Sequence, residues 1–250
     1  MTSSRETSVR TQKDSAKTLF AEKVRVCDYC ELRNRGFCSR LTDVQRAAFA
    51  ETARLVTVEP HKAIFRQGDE TENIYIVRNG LLRLYQQHLN GRRQVIGFAK
   101  PGDLLLSPLS DRNEYSADAL DPVCLCHFRR QDFIAFFQRD PSFSAALAIA
   151  IHEELIRARQ QIALLGQKRA EPKVAQFLLA LLESYAWRNA ETTLVPVRIP
   201  QADIADFLGM TVETVNRTLA RFARDAIINV AKRGVDFLDL RRLRQIAESS

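Results

Sequence analysis

Residues 201–217 read Gln201-Ala202-Asp203-Ile204-Ala205-Asp206-Phe207-Leu208-Gly209-Met210-Thr211-Val212-Glu213-Thr214-Val215-Asn216-Arg217. Ile204, Leu208, Met210 and Val215 fall where two short helices meeting at a steep angle bury their facing sides. Ala205 is small where the second helix crosses close above the first. Gly209 permits the tight turn between them, and Thr211 is placed to cap the second helix. Thr218 stands where a larger apolar residue is expected. In a helix-turn-helix the N-terminal end of the second helix meets base edges in the major groove, and here that end carries Glu213, Asn216 and Arg217. An arginine can bond both guanine acceptors, a glutamate can accept from cytosine, and an asparagine can bond adenine or a backbone group. Arg217, Arg221 and Arg224 share one face, and the outer two can reach phosphates. Downstream, 227–230 and 235–238 flank Ala231-Lys232-Arg233-Gly234, a hairpin whose tip sets Lys232 and Arg233 against the DNA backbone as a wing.

Upstream the apolar period changes. Ile74-Tyr75-Ile76-Val77, residues 81–85, 94–98 and 123–128 read as short strands punctuated by Asn79-Gly80, Asn90-Gly91 and Pro101-Gly102. This pattern predicts an antiparallel roll. Residues 41–55 predict a short helix with Thr42 as N-cap and Gln45 completing a capping box. Pro141 opens a long helix, and Pro172 fits the first turn of another over 173–188. In the long helix Leu147, Ile151, Leu155, Ala158, Ile162 and Leu165 form one stripe, and Ile149, Ile156 and Ala163 form a second at heptad spacing. A helix apolar on two faces packs on its own domain and on a partner at once, so the second seam predicts a homodimer. His152 and Arg159 fall in the same series, where Arg159 would repel its twofold mate.

Cys27, Cys30 and Cys38 lie in Cys27-Asp28-Tyr29-Cys30-Glu31-Leu32-Arg33-Asn34-Arg35-Gly36-Phe37-Cys38, and Cys124 and Cys126 follow much later. Three close thiols plus one brought in by folding can supply four sulfur ligands. Thiolates suit zinc or an iron–sulfur cluster equally on softness, although structural zinc sites usually use two short cysteine pairs. Arg25, Arg33, Arg35 and Arg40 surround the trio and are expected to favour thiolate. Gly36 lets the chain turn so that Cys38 points inward. Cys124 and Cys126 are two apart on a strand and face the same way, so geometry leaves the choice between them open. His127 beside them is expected to end the strand and face solvent.

Composition bounds the partners. With 250 residues, 46% hydrophobic, the chain can bury one large core or two modest ones, and its net charge of +7 favours a polyanion. No apolar run reaches bilayer length, and residues 1–25 lack the apolar centre of a signal peptide. A cytoplasmic location, with reduced thiols and no membrane partner, is expected. There is no glycine-rich phosphate loop, no Ser/His/Asp arrangement and no telling carboxylate pair, and the four histidines are scattered at 61, 88, 127 and 152, so an enzyme is not expected.

The motifs together resemble a known family. Phe65-Arg66-Gln67-Gly68-Asp69-Glu70, Tyr75-Ile76-Val77-Arg78-Asn79-Gly80, Gly97-Phe98, Gly102-Asp103-Leu104 and the run 208–217 look like the FNR branch of the cyclic-AMP receptor protein superfamily. The Cys-x2-Cys-x7-Cys spacing resembles FNR- and FixK-like members. The resemblance implies an α+β chain in four parts. A tail and cysteine-rich segment (1–40) precedes a cyclic-nucleotide-binding-like β-roll (41–140), a dimerisation helix (141–171) and a winged helix-turn-helix (172–250). It implies an oxygen-responsive regulator holding a 4Fe–4S cluster on Cys27, Cys30, Cys38 and Cys124, with Cys124 favoured by its Val-Cys-x-x-x-Phe context. Double-stranded DNA and RNA polymerase are the implied partners. The implied DNA site is a palindrome like TTGAT-N4-ATCAA, read by Glu213, Asn216 and Arg217, with Asn216 in place of the usual serine. Residues 107–119 lack the Gly-Glu and Arg-Ser/Thr pair that grips cyclic-nucleotide phosphate, so no cyclic nucleotide is expected. A zinc- or thiol-switched regulator of the same fold is the alternative.

Overall fold

The computed structural model describes residues 27, 30–88, 90–105, 110–186, 192–197, 199–231 and 234–249. Two 3-10 turns, Glu31–Asn34 and Gly36–Arg40, lead into helix α1 (Asp43–Thr52). The predicted capping box forms: the Gln45 N–H donates to Thr42 Oγ1 (3.2 Å) and the Thr42 N–H to Gln45 Oε1 (2.9 Å). Eight strands follow: β1 (Arg54–Val58), β2 (Ala63–Phe65), β3 (Asn73–Asn79), β4 (Leu82–Gln87), β5 (Arg93–Ala99), β6 (Leu104–Leu105), β7 (Ser116–Ala119) and β8 (Val123–Arg129). They build two antiparallel four-stranded sheets, in order β1-β8-β3-β6 and β2-β7-β4-β5. Between the sheets lie Val77, Leu82, Ala99, Leu105, Ala119, Val123 and Leu125.

Helix α2 (Arg130–Arg139) was not foreshadowed by the sequence patterns; it covers Phe133. Asp140 then caps the long helix α3 (Pro141–Gly166), accepting from the N–H groups of Ser142 (2.9 Å) and Phe143 (3.3 Å). With Gln45 and Ser142 also bonding its carboxylate, the Asp140 pKa falls to about 2. Helix α4 (Ala170–Ala186) and the short β9 (Leu194–Val195) lead to α5 (Gln201–Leu208) and α6 (Val212–Arg224). The hairpin β10 (Ile228–Ala231) and β11 (Gly234–Phe237) pairs with β9, and α7 (Leu240–Glu248) closes the fold.

The outer face of the β1-β8-β3 sheet carries a phenylalanine cluster. Phe49 of α1 stacks on Phe128 of β8 with centroids 3.9 Å apart, and Phe133, Phe136 and Phe143 surround it at 5.6–5.9 Å. Phe37, from the cysteine segment, joins at 6.2 Å. This cluster packs α1, α2, the start of α3 and the cysteine segment onto the roll.

Truncating Phe49 removes the ring at the centre of that packing. Phe49→Ala should cost about 3–5 kcal/mol, as large aromatic truncations in cores do, measured by urea unfolding. A loss under about 1 kcal/mol would mean that the cluster closes over the gap and does not hold the helical layer in place.

Candidate nucleic-acid interface

The reading helix is built as its sequence requires. Gly209 ends α5 at φ +61°, and its N–H donates to Asp206 O at 3.3 Å. Thr211 Oγ1 accepts from the Thr214 N–H (3.2 Å) and lies 2.9 Å from Thr214 Oγ1, so a hydroxyl stands where a glutamate would complete the box. Ile204, Ala205, Leu208 and Val215 are buried at the crossing. Thr218 is buried as well, and its hydroxyl donates to Thr214 O (2.9 Å), so a local bond replaces the missing apolar bulk.

Glu213, Asn216 and Arg217 all face solvent on α6, with Arg217 lying 3.9 Å from Glu213 across one turn. Arg221 pairs with Glu171 of α4 while about half of its side chain stays exposed. Arg224 is exposed at the helix end. Lys232 and Arg233, the expected wing tip, lie outside the described residues, but the strands flanking them pair in register, Val230 with Val235 and Ala231 with Gly234.

On α3 the N-terminal part is buried through Phe143, Ala146, Leu147 and Ala150, and the rest turns apolar groups outward. Ile149 is 49% exposed, Ile156 39% and Ile162 70%. His152, Arg159 and Ala163 are exposed on the same helix.

The cysteine segment docks against the roll. Gly36 adopts φ +56°, and any Cβ there would lie 2.1 Å from Gly102 O. The Phe37 N–H donates to Gly102 O (3.2 Å), and Arg35 Nε donates to Pro101 O (3.3 Å). Arg40 pairs with Glu153 of α3.

The expected 4Fe–4S cluster on Cys27, Cys30, Cys38 and Cys124 is corrected by this geometry. Among the described residues, no group of three or more His, Cys, Asp or Glu side chains is placed to hold a metal ion. The thiols instead spread along an apolar seam. Cys126 is buried beside Ile74, Ile76 and Phe128, with Cys30 and Cys38 packed against that cluster. Cys124, one pleat further along the strand, is only half-buried and has Arg78 as its charged neighbour.

The expected thiolate character is corrected at Cys38. Burial pushes the Cys38 thiol up to about 12, and the nearby Cys27 and Cys30 add to the rise. Burial likewise raises Cys126 and Cys124. The arginines are engaged elsewhere: Arg33 with Asp43 (2.7 Å), Arg40 with Glu153 and Arg35 with a backbone carbonyl, while Arg25 lies outside the described residues. His127 is also not turned to solvent. It is half-buried, 2.7 Å from Asn73 Oδ1, and burial lowers its pKa.

Sequence reasoning missed a charged joint between the roll and the helix-turn-helix. Asp203 of α5 is buried and accepts from Arg83 of β4 and Arg93 of β5, each at 2.7 Å. Arg83 also grips Asp118 of β7. Burial opposes the Arg83 charge, but its bonds to Asp118 and Asp203 outweigh that and raise its pKa. Asp206 accepts from the Val95 N–H, an outward-facing donor of the edge strand β5. The only sequence signal was two aspartates on a helix otherwise built for burial.

Two family matches divide the chain along these lines. The cyclic nucleotide-binding domain family matches residues 55–140, and the Crp-like helix-turn-helix domain family matches residues 172–246. The chain is 35% identical to the nitrogen fixation regulation protein FixK of Bradyrhizobium diazoefficiens over 88% of this chain and 93% of that one. It therefore belongs to the FixK/FNR branch of the CRP/FNR family of DNA-binding transcription regulators. It is also 34% identical to the transcriptional activatory protein AadR of Rhodopseudomonas palustris, over 92% of this chain and 96% of that one. The solved structure of FixK2 from Bradyrhizobium japonicum superposes with a TM-score of 0.69 at 26% identity, covering 79% of this chain and 98% of that one. Proteins of this family bind DNA and are not enzymes. Among the described residues, no helix is long and apolar enough to cross a membrane.

The raised thiol pKa values carry a pH dependence. A raised pKa makes Cys38 contribute stability that is complete below pH about 9 and lost as the pH climbs toward about 12. Cys38→Ala should flatten the fall in unfolding midpoint across that window, read by thermal melts. At neutral pH, iodoacetamide should alkylate Cys38 and Cys126 after Cys27 and Cys30, followed by peptide mass mapping. Simultaneous labelling would show that the seam opens freely.

Proposed function

We propose that the chain binds DNA as a homodimer on a two-fold palindrome resembling TTGAT-N4-ATCAA, and that its binding is switched by thiol chemistry in the cysteine segment. The observation that carries the DNA reading is the exposed end of α6, where Glu213, Asn216 and Arg217 project together from a helix fixed by its turn, cap and core. In this reading Arg217 reads a guanine, Glu213 reads a cytosine, and Asn216 takes an adenine or a backbone group. Arg221, Lys232 and Arg233 contact phosphates. Ile149, Ile156 and Ala163, with His152 and Arg159, form the dimer seam, which the apolar exposure along α3 supports. RNA polymerase is the further partner expected of a transcription regulator. The segments 1–40, 41–140, 141–171 and 172–250 then serve as sensor segment, roll, dimerisation helix and DNA-binding domain.

The thiol reading rests on the docking of the cysteine segment. Cys27 and Cys30 form the two ends of one turn, the Cys30 N–H donating to Cys27 O at 3.4 Å. Oxidation of this pair by a small disulfide would join the two sulfurs and release two small thiols, with two hydrogens passing to the oxidant. The new bond would tighten the turn that precedes Gly36, Phe37 and Arg40, the residues that dock on the roll and on α3. The signal thus reaches α3 at Glu153, between Ile149 and Ile156 of the proposed seam.

Two measurements test these claims. By fluorescence anisotropy on the palindrome, Arg217→Ala should lose about 1–3 kcal/mol of affinity and become indifferent to the guanine of each half-site. An equal loss on random DNA would refute the base contact. Oxidised glutathione should change affinity for the palindrome reversibly with dithiothreitol, and Cys27→Ser with Cys30→Ser should abolish the response. A response that persists in the double variant would remove this pair from the switch.

A further inference from the structure

The charged joint between roll and reading domain has no part in base contacts, yet it is the most buried ionic assembly among the described residues. The Asp203 side chain is 2% exposed, Arg83 11% and Asp118 12%. Arg83 uses both ends of its guanidinium, Nε toward Asp118 (3.0 Å) and Nη1 toward Asp203 (2.7 Å), so the planar fork fixes α5 relative to β4 and β7 in two directions. Arg93 closes the other carboxylate oxygen, and Tyr85 lies under both guanidiniums, with ring centroid distances of 5.6 Å and 5.4 Å. Gln94 Nε2 adds a bond to Asp206 O at 3.0 Å. The other half of the joint is apolar, Phe98 against Phe207 and Phe177, and borders an open cavity of about 570 Å³. Apolar contact beside a void resists sliding poorly, because it has no directional preference. The directional half is the ionic one.

We propose that Arg83, Arg93 and Asp203 are positioning residues that set the spacing of DNA half-sites the dimer accepts. This rests on the homodimer reading above. Two reading helices on a palindrome must sit about one helical turn apart. One base pair added between half-sites moves the second by roughly 3.4 Å and rotates it by roughly 34°. A reading domain bolted through paired ionic bonds follows that change poorly. With the Arg83–Asp203–Arg93 bonds weakened, what holds it is the aromatic contact and the single bonds at Asp206 and Phe207 O, and it can swing further toward the cavity. Half-site base preference belongs to α6 and is untouched by the joint.

The test uses the full chain and palindromes whose central spacer is N4 or is shortened or lengthened by one or two base pairs. Asp203→Asn keeps the shape and gives up one acceptor. Arg93→Gln is the milder variant, since Arg83 still neutralises Asp203, and it covers the case in which Asp203→Asn fails to fold. The unaltered protein should lose roughly tenfold in affinity for each base-pair change, and either variant should flatten that dependence while keeping its guanine preference. Variants that weaken on every spacer in the same proportion would overturn the proposal and reduce the joint to a stabilising contact. If the unaltered protein binds a single half-site as well as the palindrome, the homodimer reading fails and this inference falls with it. If it discriminates spacers and the variants discriminate equally, only the positioning role falls.

Discussion

Strand β8 is buried on both faces, and the packing on its two sides organises the rest of the sensor half. Val123 and Leu125 point between the two sheets, and Cys126 and Phe128 point outward into the helical layer. A one-residue slip would exchange these sets, placing thiol and aromatic ring inside the roll and two aliphatics outside. Pairing on both sides, with β1 and β3, forbids that slip. The Phe49–Phe128 stack then follows from register, and with it the seating of α1, α2 and the first turns of α3. The cysteine segment lies on this same outer layer through Phe37 and Leu41, so its position is a consequence of β8 register, whatever chemistry its thiols perform.

The parts legible in the sequence are those fixed by local rules. The α1 capping box, the Gly209 turn and the Thr211 cap depend on neighbours within a few residues, and the structure places each as expected, with the two strands that flank the wing tip paired. Helix α2 was missed although Phe133, Phe136 and Phe137 fall at i, i+3 and i+4: it is only ten residues long, follows β8 without a loop, and has Arg129 at its N-cap, which makes no capping bond. The short strands β1, β2 and β7 were hidden as well: β1 and β2 alternate poorly in burial, and β7 is buried throughout. Contacts made across the chain were invisible. Arg83 meets partners 35 and 120 positions away, and Arg40 meets one 113 positions away.

The thiol expectation failed by the same route. Arginines near Cys27, Cys30 and Cys38 in sequence suggested a positive field, but a guanidinium paired with a carboxylate is neutralised locally, as Arg33 is by Asp43 and Arg40 by Glu153, and Arg35 is turned to Pro101 O. Desolvation then dominates, and the buried thiols become harder to ionise rather than easier. That two cysteines of β8 share a face was predictable from strand period. Which of them faces the trio depends on where the cysteine segment lies across the sheet, a tertiary fact.

Helix α3 connects these results. Near its start it carries buried residues that belong to the Phe49 cluster, and at Glu153 it takes the ion pair from the cysteine segment. At its far end Gln161 Nε2 donates to Phe207 O at 2.7 Å, and Lys173 Nζ bridges Leu165 O and Leu208 O, so the helix also touches α5. The exposed apolar stretch from Ile149 to Ile162 spans both anchor points, Glu153 and Gln161. A helix held at both ends transmits a change at one of them as a rigid-body shift, because its internal hydrogen bonds resist local bending. Within the proposed mechanism, an altered cysteine segment therefore acts on DNA by changing how two copies of α3 meet. Because α3 ends against Phe207, Leu208 and the Gly209 turn, the same shift also bears on the turn that sets α6, while base preference stays with the side chains α6 presents to solvent.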